Sequence, residues 1–272
     1  MRVELLGVRG STPTPGATYV RFGGETSCVA LCHDGEPDPS LVLEAGTGLR
    51  QLSARLTGPA YRGAIALSHL HWDHLQGLAF FAKGDHPEAD VDLLVPAQLG
   101  RSGVDLLSLV MRPPGFPIGP DGLLGSWRFR AVEPGPCTAG GFEVLAFDVT
   151  HKGGRTFGYR VADASGSLAY LPDHTAHERP PWLAEVLAGV DVLVHDAQFL
   201  PAETATARAY GHSTVEEALE LAQEAGAGRL VLFHHSPTRT DDQLDRIEES
   251  LHGIPGTVVA RDGMVLELGG GR

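Results

Sequence analysis

Lysine is nearly missing from this chain. Lys83 and Lys152 are the only two, so arginine carries almost all the positive charge of a protein whose net charge is −13. That preference reads as a base-composition bias of the coding sequence rather than as function. The acidic balance argues against a long nucleic-acid partner, whose affinity would come mostly from phosphate contacts; a local basic patch would still take a small anion. Cysteine is scarce as well: Cys28, Cys32 and Cys137 cannot all pair within the chain, which excludes a disulfide framework. Cys28 and Cys32 sit four apart in a strand-like segment, roughly 13 Å at ~3.3 Å per residue. They are too far apart for a disulfide or a shared metal and are expected to be reduced core thiols. No apolar run approaches the roughly 20 residues that a membrane span needs, and Met1-Arg2-Val3-Glu4-Leu5-Leu6 turns polar too soon for a signal peptide. No membrane partner and a cytoplasmic location are the default expectations.

What is present is enough for a sizeable core: 272 residues, 42% hydrophobic and 20% charged. Strand-like segments in the first half are Val3–Val8, Ser27–Cys32, Leu41–Glu44, Ala64–Leu67 and Val91–Val95. Those in the second half are Trp127–Val132, Phe142–Asp148, Thr156–Val161, Ser167–Leu171, Val192–His195, Arg229–Phe233, Thr257–Ala260 and Val265–Leu268. Turn pairs at Asp34-Gly35, Ser165-Gly166 and Asp262-Gly263 suit hairpins. The clearest helix follows Gly211-His212, with Ser213 as N-cap and Glu216 completing a capping box. Val215, Ala218, Leu219 and Ala222 recur on one face of it, and Gly226 stops it. Further helices are expected near Leu49–Leu56 and Gln243–Ser250. Residues 112–125 are rich in proline and glycine without any period, the mark of a functional loop, with the stretch Met111–Pro117 a candidate lid. No repeat or linker divides the chain, and metal-type residues occur in both halves, so residues 1–272 are read as a single domain.

The most informative segment is His69-Leu70-His71-Trp72-Asp73-His74, directly after the apolar strand Ala64-Ile65-Ala66-Leu67. Four ligand-type side chains within six residues are more than one ion can use from a short loop. Two neighbouring ions can share them, with His69 and His71 facing one and Asp73 and His74 the other. A run of incidental surface histidines would require neither this spacing nor the buried strand before it.

This run resembles the signature of the metallo-β-lactamase superfamily, and further motifs follow in order. His151 ends Phe-Asp-Val-Thr-His, Asp173 follows Leu-Ala-Tyr-Leu-Pro, and His234 follows Leu-Val-Leu-Phe. The resemblance spans nearly the whole chain. It implies an α/β fold, the four-layer αββα sandwich of that superfamily. It implies a site in which His69, His71 and His151 hold one metal, Asp73, His74 and His234 hold the other, and Asp173 bridges them. His234 and His235 are adjacent and only one should be a ligand; His234 is favoured because it aligns with a Thr-His-Ile-Ser form in relatives. Gly7-Val8-Arg9-Gly10-Ser11-Thr12-Pro13, Gly23-Gly24-Glu25-Thr26-Ser27-Cys28 and Glu44-Ala45-Gly46-Thr47-Gly48-Leu49 resemble the phosphodiesterase-type branch, which includes tRNA 3′-end endonucleases and cyclic-nucleotide phosphodiesterases. Glu44 stands where relatives carry an aspartate that orients a ligand histidine. Asp196, ending Val-Leu-Val-His-Asp, and His212, in Gly-His-Ser-Thr, match an acid–histidine pair that acts near the scissile phosphate in tRNA-processing members. The implied catalytic residues are Asp73, His212 and Asp196. Two divalent cations are implied, Zn²⁺ being expected, while the donors also suit Mn²⁺ or Fe.

Asp173 lies only 22 positions after His151, leaving no room for the long arm with which tRNA-processing relatives grip their substrate. Together with the acidic charge this favours a small anionic substrate, such as a cyclic nucleotide or short oligonucleotide, and no long nucleic acid. His151-Lys152-Gly153-Gly154 is similar to a His-Pro-Gly-Gly stretch of smaller relatives; Lys152 either meets the substrate or is a solvated turn residue. Three alternatives stand: a thioester or lactone hydrolase on the same metals, a redox di-iron protein, and a non-catalytic metal-binding module. The di-iron reading is disfavoured because such relatives carry more carboxylate ligands and a flavin domain. Nothing in the sequence fixes the oligomeric state.

Overall fold

The computed structural model describes residues 1–269. Two seven-stranded sheets form its centre. The first contains β1 (Arg2–Gly7), β2 (Cys28–Cys32), β3 (Leu41–Leu43), β4 (Arg62–Ala66), β5 (Asp90–Pro96) and β6 (Ser126–Val132). The second contains β7 (Gly135–Ala139), β8 (Phe142–Val149), β9 (Thr156–Asp163), β10 (Gly166–Leu171), β11 (Val192–Asp196), β12 (Leu230–Phe233) and β13 (Thr257–Val259). The last strand, β14 (Val265–Glu267), returns to the first sheet and pairs antiparallel with β1. Both sheets follow one plan. Antiparallel pairing runs from β14 through β1 and β2 to β3, and from β7 through β8 and β9 to β10. Parallel pairing then continues through β4, β5 and β6, and through β11, β12 and β13.

Burial explains the layering. β2, β3 and β12 are apolar and buried at every position, as strands covered on both faces must be. Val3, Leu5, Leu31, Leu43, Phe142, Tyr159, Tyr170 and Phe233 fill the space between the sheets. The outer face of the first sheet carries α1 (Leu49–Arg55) and α2 (Gly103–Leu107) over Leu6, Ile65, Val91 and Leu93. The outer face of the second is covered by α3 (Leu183–Val186), α5 (Val215–Ala225) and α6 (Asp241–Ser250), with α4 (Thr204–Tyr210) preceding α5. The result is the αββα sandwich.

Most expected strands are present to within a residue or two at each end. Three expectations need correction. The N-cap of α5 is Thr214, whose capping box closes with Glu217, one residue later than Ser213 and Glu216. The Ser213 hydroxyl is occupied elsewhere: it donates to the His174 carbonyl and accepts from the Ala176 N–H. Asp262-Gly263 is a turn but makes no hairpin, because β13 and β14 belong to different sheets. The β9–β10 hairpin pairs Asp163 with Gly166, so its loop is Ala164-Ser165 rather than Ser165-Gly166. Strand β7 and the helices α2, α3 and α4 were not expected. β7 begins Gly-Pro and pairs only with β8, while α2 and α3 are too short to show a period.

The two parallel halves matter for function. β3 and β4 end together, as do β10, β11 and β12. The loops leaving their C-terminal ends meet at one edge of the sandwich, the usual location of sites in parallel sheets.

Candidate metal centre

The 69–74 segment leaves β4 through Leu67 and Ser68, both pinned before the histidines begin. The Tyr159 hydroxyl donates to the Leu67 carbonyl (2.6 Å) and the Ser68 N–H donates to Glu44 Oε1 (2.9 Å). Ser68 Oγ lies 2.8 Å from His69 Nδ1, leaving Nε2 as the free edge of that ring. Glu44 is fully buried, and its Oε2 lies 3.4 Å from His74 Nδ1. The carboxylate thus faces His74, the ring that the resemblance implies such a carboxylate would orient.

Two donor groups form. His69, His71, His151 and Asp173 bring one ligand atom each within 4.8 Å of one another, and so do Asp73, His74 and His234. Asp173, after β10, lies between them: Oδ2 is 3.3 Å from His151 Nε2 and 3.6 Å from His69 Nε2, while Oδ1 is 3.1 Å from His74 Nε2 and 3.0 Å from His234 Nε2. His151 is aimed by its other nitrogen, Nδ1, 2.6 Å from the Gly211 carbonyl. His234 stands in the left-handed region (φ 58°) and its ring enters the second group. His235 faces away, with Nε2 2.9 Å from the Ala260 carbonyl, and burial depresses its pKa to about 3.

The electrostatics are those of a site built for cations. Burial would lower the His74 pKa, yet Asp73, Asp173 and Glu44 hold it well above the ordinary imidazole value. Burial would raise Asp173, but His234, His74, His69 and His151 hold it well below the carboxylate range. His69, His71 and His151 are lowered, chiefly by burial. Buried His69 Nε2, His74 Nε2 and Asp173 Oδ1 have no hydrogen-bond partner among the described residues. Each such atom would cost about 1–3 kcal/mol if left unmatched. A divalent cation fits them: imidazole and carboxylate donors are the ordinary ligands of Zn²⁺ and similar ions.

Asp196, at the end of β11, and His212, after α4, face this centre as a pair. His212 Nδ1 donates to Asp196 Oδ2 at 2.8 Å. Burial would lower His212, but the Asp196 charge overrides it and pushes the pKa up to about 9. His212 also falls within 4.8 Å of the ligand atoms of Asp173 and His234. Lys152, which is exposed, donates its ammonium to the Ala209 carbonyl. His174, next to Asp173, is buried with Nδ1 2.9 Å from His195 Nε2.

Two residues escaped the sequence reading. The Ser11 N–H donates to Asp73 Oδ2 at 2.7 Å, with Ser11 in the left-handed region (φ 66°). Gln198 Nε2 donates to Ser11 Oγ (2.9 Å), and its backbone N–H donates to Asp196 Oδ1 (3.0 Å). Gln198 therefore links the Asp196–His212 pair to Asp73.

A cleft of about 380 Å³, lined by Ser11, His71, Asp73, Asp173, His212 and His234, opens this centre to solvent. Trp72 also lines a larger cavity of about 770 Å³, together with Leu107 and residues 109–116. The loop expected to act at the site is thus a wall of the neighbouring cavity over its first residues, and Pro120–Gly122 within it forms a 3₁₀ turn.

The model of a family described as the beta-lactamase superfamily domain matches residues 40–235. Ribonuclease Z of Gemmatimonas aurantiaca is 24% identical over 98% of this chain and 95% of its own length. Among solved structures, the short form of human tRNase Z superposes with a TM-score of 0.70 at 21% identity, covering 98% of this chain and 99% of the other. A diphosphatase of the PhnP family gives a TM-score of 0.75 at 21% identity over 98% and 97% of the two chains. The likeness to ribonuclease Z overturns the expected absence of a long nucleic-acid partner. The net charge of −13 is a sum over the whole surface and says nothing of the field in one cleft. No helix among the described residues is long and apolar enough to cross a membrane.

Proposed function

The chain belongs to the beta-lactamase superfamily domain family and is a metal-dependent hydrolase of phosphodiesterase type; from that premise we propose that it cleaves phosphodiester bonds of RNA with two divalent cations, Zn²⁺ being the expected ion. In this reading His69, His71 and His151 hold one cation, Asp73, His74 and His234 the other, and Asp173 is shared. The observation that carries the proposal is the meeting of two donor groups at Asp173 with the Asp196–His212 pair beside them. When bound, such cations supply Lewis acidity, which acidifies water and offsets charge on phosphoryl oxygens.

The remaining work falls to the chain's own groups. Asp73 is held ionised by His74 and His234 despite its burial. From its place in the open cleft Asp73 would orient the attacking water, whose proton passes to solvent as the new bond to phosphorus forms. The Ser11 N–H fixes Asp73 Oδ2, leaving the orientation of that carboxylate little freedom. His212 is protonated at neutral pH and spends Nδ1–H on Asp196, so Nε2–H remains to donate to the leaving oxygen as it departs from phosphorus.

The test combines metal analysis of the purified protein with a panel of phosphodiesters that includes RNA. His212→Ala should keep the metal content and lose about 10²-fold or more of turnover. Unchanged turnover would remove His212 from the mechanism, and absence of RNA cleavage by metal-loaded wild type would sink the reading.

A further inference from the structure

The cavity behind Trp72 has no part in the chemistry just described, yet it shares a wall with it. Trp72 lies between His71 and Asp73 in sequence and lines both the metal cleft and this cavity. Trp72 is 71% exposed, and Phe80, which also lines the cavity, is 61% exposed. Phe116 crosses Phe80 edge to face at 6.1 Å. A buried floor that includes Leu78 and Met111 backs these rings. So much aromatic surface held open beside a reaction centre costs free energy that an occupant would recover.

Charge narrows the occupant. The chain has 34 acidic residues against 21 basic ones, yet no aspartate or glutamate lines this cavity, while Arg50 and Arg112 do. Arg50 pairs with Glu25 at 2.8 Å; Arg112 has no ion-pair partner among the described residues. The hydrocarbon of an acyl chain would gain nothing from the guanidinium groups, and a fatty acid would meet them only through its carboxylate, leaving the rings no stacking partner. A planar base carrying phosphate would use both features, stacking on the rings while its phosphate meets the arginines. The volume, about 770 Å³, is in the range of small-molecule sites.

We propose that this cavity is a nucleobase subsite: Trp72 and Phe80 stack the base of a nucleotide flanking the scissile phosphate, and Arg112 meets the adjoining phosphate. The inference rests on the RNA-phosphodiesterase reading and extends it to the placement of the substrate. Loss of stacking should weaken binding while leaving the metal ligands intact.

The experiment needs no turnover. The full-length protein is titrated with adenosine 5′-monophosphate and with ribose 5-phosphate, which lacks the base, by calorimetry. Adenosine monophosphate should bind about 10-fold tighter or more. Trp72→Ala should abolish that advantage at unchanged metal content, Trp72→Phe should restore most of it, and Phe80→Ala should reduce it. Equal affinity for the two compounds, or an advantage that survives both alanine variants, would overturn the proposal. Octanoate binding tighter than adenosine monophosphate would do so too, and would assign the cavity to acyl chains. Failure of the wild type to cleave RNA is a separate result, which counts against the reaction and not against base binding.

Discussion

Gly10 offers a steric probe of the second donor group that leaves every candidate ligand in the sequence. It follows β1, and its N–H donates to the His235 carbonyl at 3.0 Å. A methyl group built on its Cα would lie 2.5 Å from both Cε1 and Nδ1 of His234 and 2.7 Å from Gln198 Nε2. Carbon atoms in contact prefer about 3.5–4.0 Å, so in Gly10→Ala the His234 ring must retreat by roughly 1 Å. It has little room to do so sideways, because it is stacked between His74 and His212 with ring centroids at 5.5 and 5.2 Å. Coordination tolerates only about 0.2 Å, so the displaced ring would leave the Asp73–His74–His234 group. The affinity for one cation should drop about 10- to 100-fold, and turnover at saturating metal should fall on the order of 10²-fold. Stoichiometry is read by elemental analysis after dialysis against a weak chelator, and turnover on an RNA substrate. Gly58→Ala serves as a control, since the nearest atom to its methyl group would be the Ala60 carbonyl oxygen at 3.8 Å. A Gly10→Ala protein that retains two cations per chain and full turnover would refute both the packing argument and the assignment of His234.

Other perturbations address separate links. Gln198→Ala removes the bond to Ser11 Oγ that supports the Ser11–Asp73 contact; kcat should fall roughly 10-fold with metal content intact, and a change confined to KM would contradict the link. Chelating the bound cations strands buried His69 Nε2, His74 Nε2 and Asp173 Oδ1. A cation present at about 100 times its Kd contributes about 2.7 kcal/mol, so loss of one cation should lower Tm by roughly 5 °C in a calorimetric scan; no drop would mean that the folded chain does not hold the ion. Asp262 tests a half-buried carboxylate that belongs to neither donor group. Burial, with Glu25 nearby, pushes its pKa from 3.8 to about 7. The folded-state value is raised, so its contribution to stability is complete below about pH 4 and lost as pH rises through about 7. Denaturant unfolding at pH 5 and pH 8 should show the wild type losing roughly 2–3 kcal/mol more than Asp262→Asn, and equal losses would show that Asp262 titrates normally.

The parts of this molecule that could be read from its sequence share one property: the signal is local. Each metal-type residue follows an apolar strand within a few positions, so the strand pattern and the ligand pattern report on the same place, and the six-residue run at His69 carries four of the side chains itself. What escaped is set by contacts distant in sequence. The Gln198–Ser11 bond joins positions 187 apart, and neither residue type carries a signal of its own. The cap of α5 shows how such contacts displace a local rule. Ser213 and Glu216 satisfy the capping pattern as well as Thr214 and Glu217 do, and only the loop after Asp173 decides between them. That loop takes the Ser213 hydroxyl for His174 and Ala176, so the helix starts one residue later. Ser213, the residue after His212, is thereby tied to the loop that carries Asp173, and the same tertiary demand that defeats the sequence rule holds His212 and Asp173 in register.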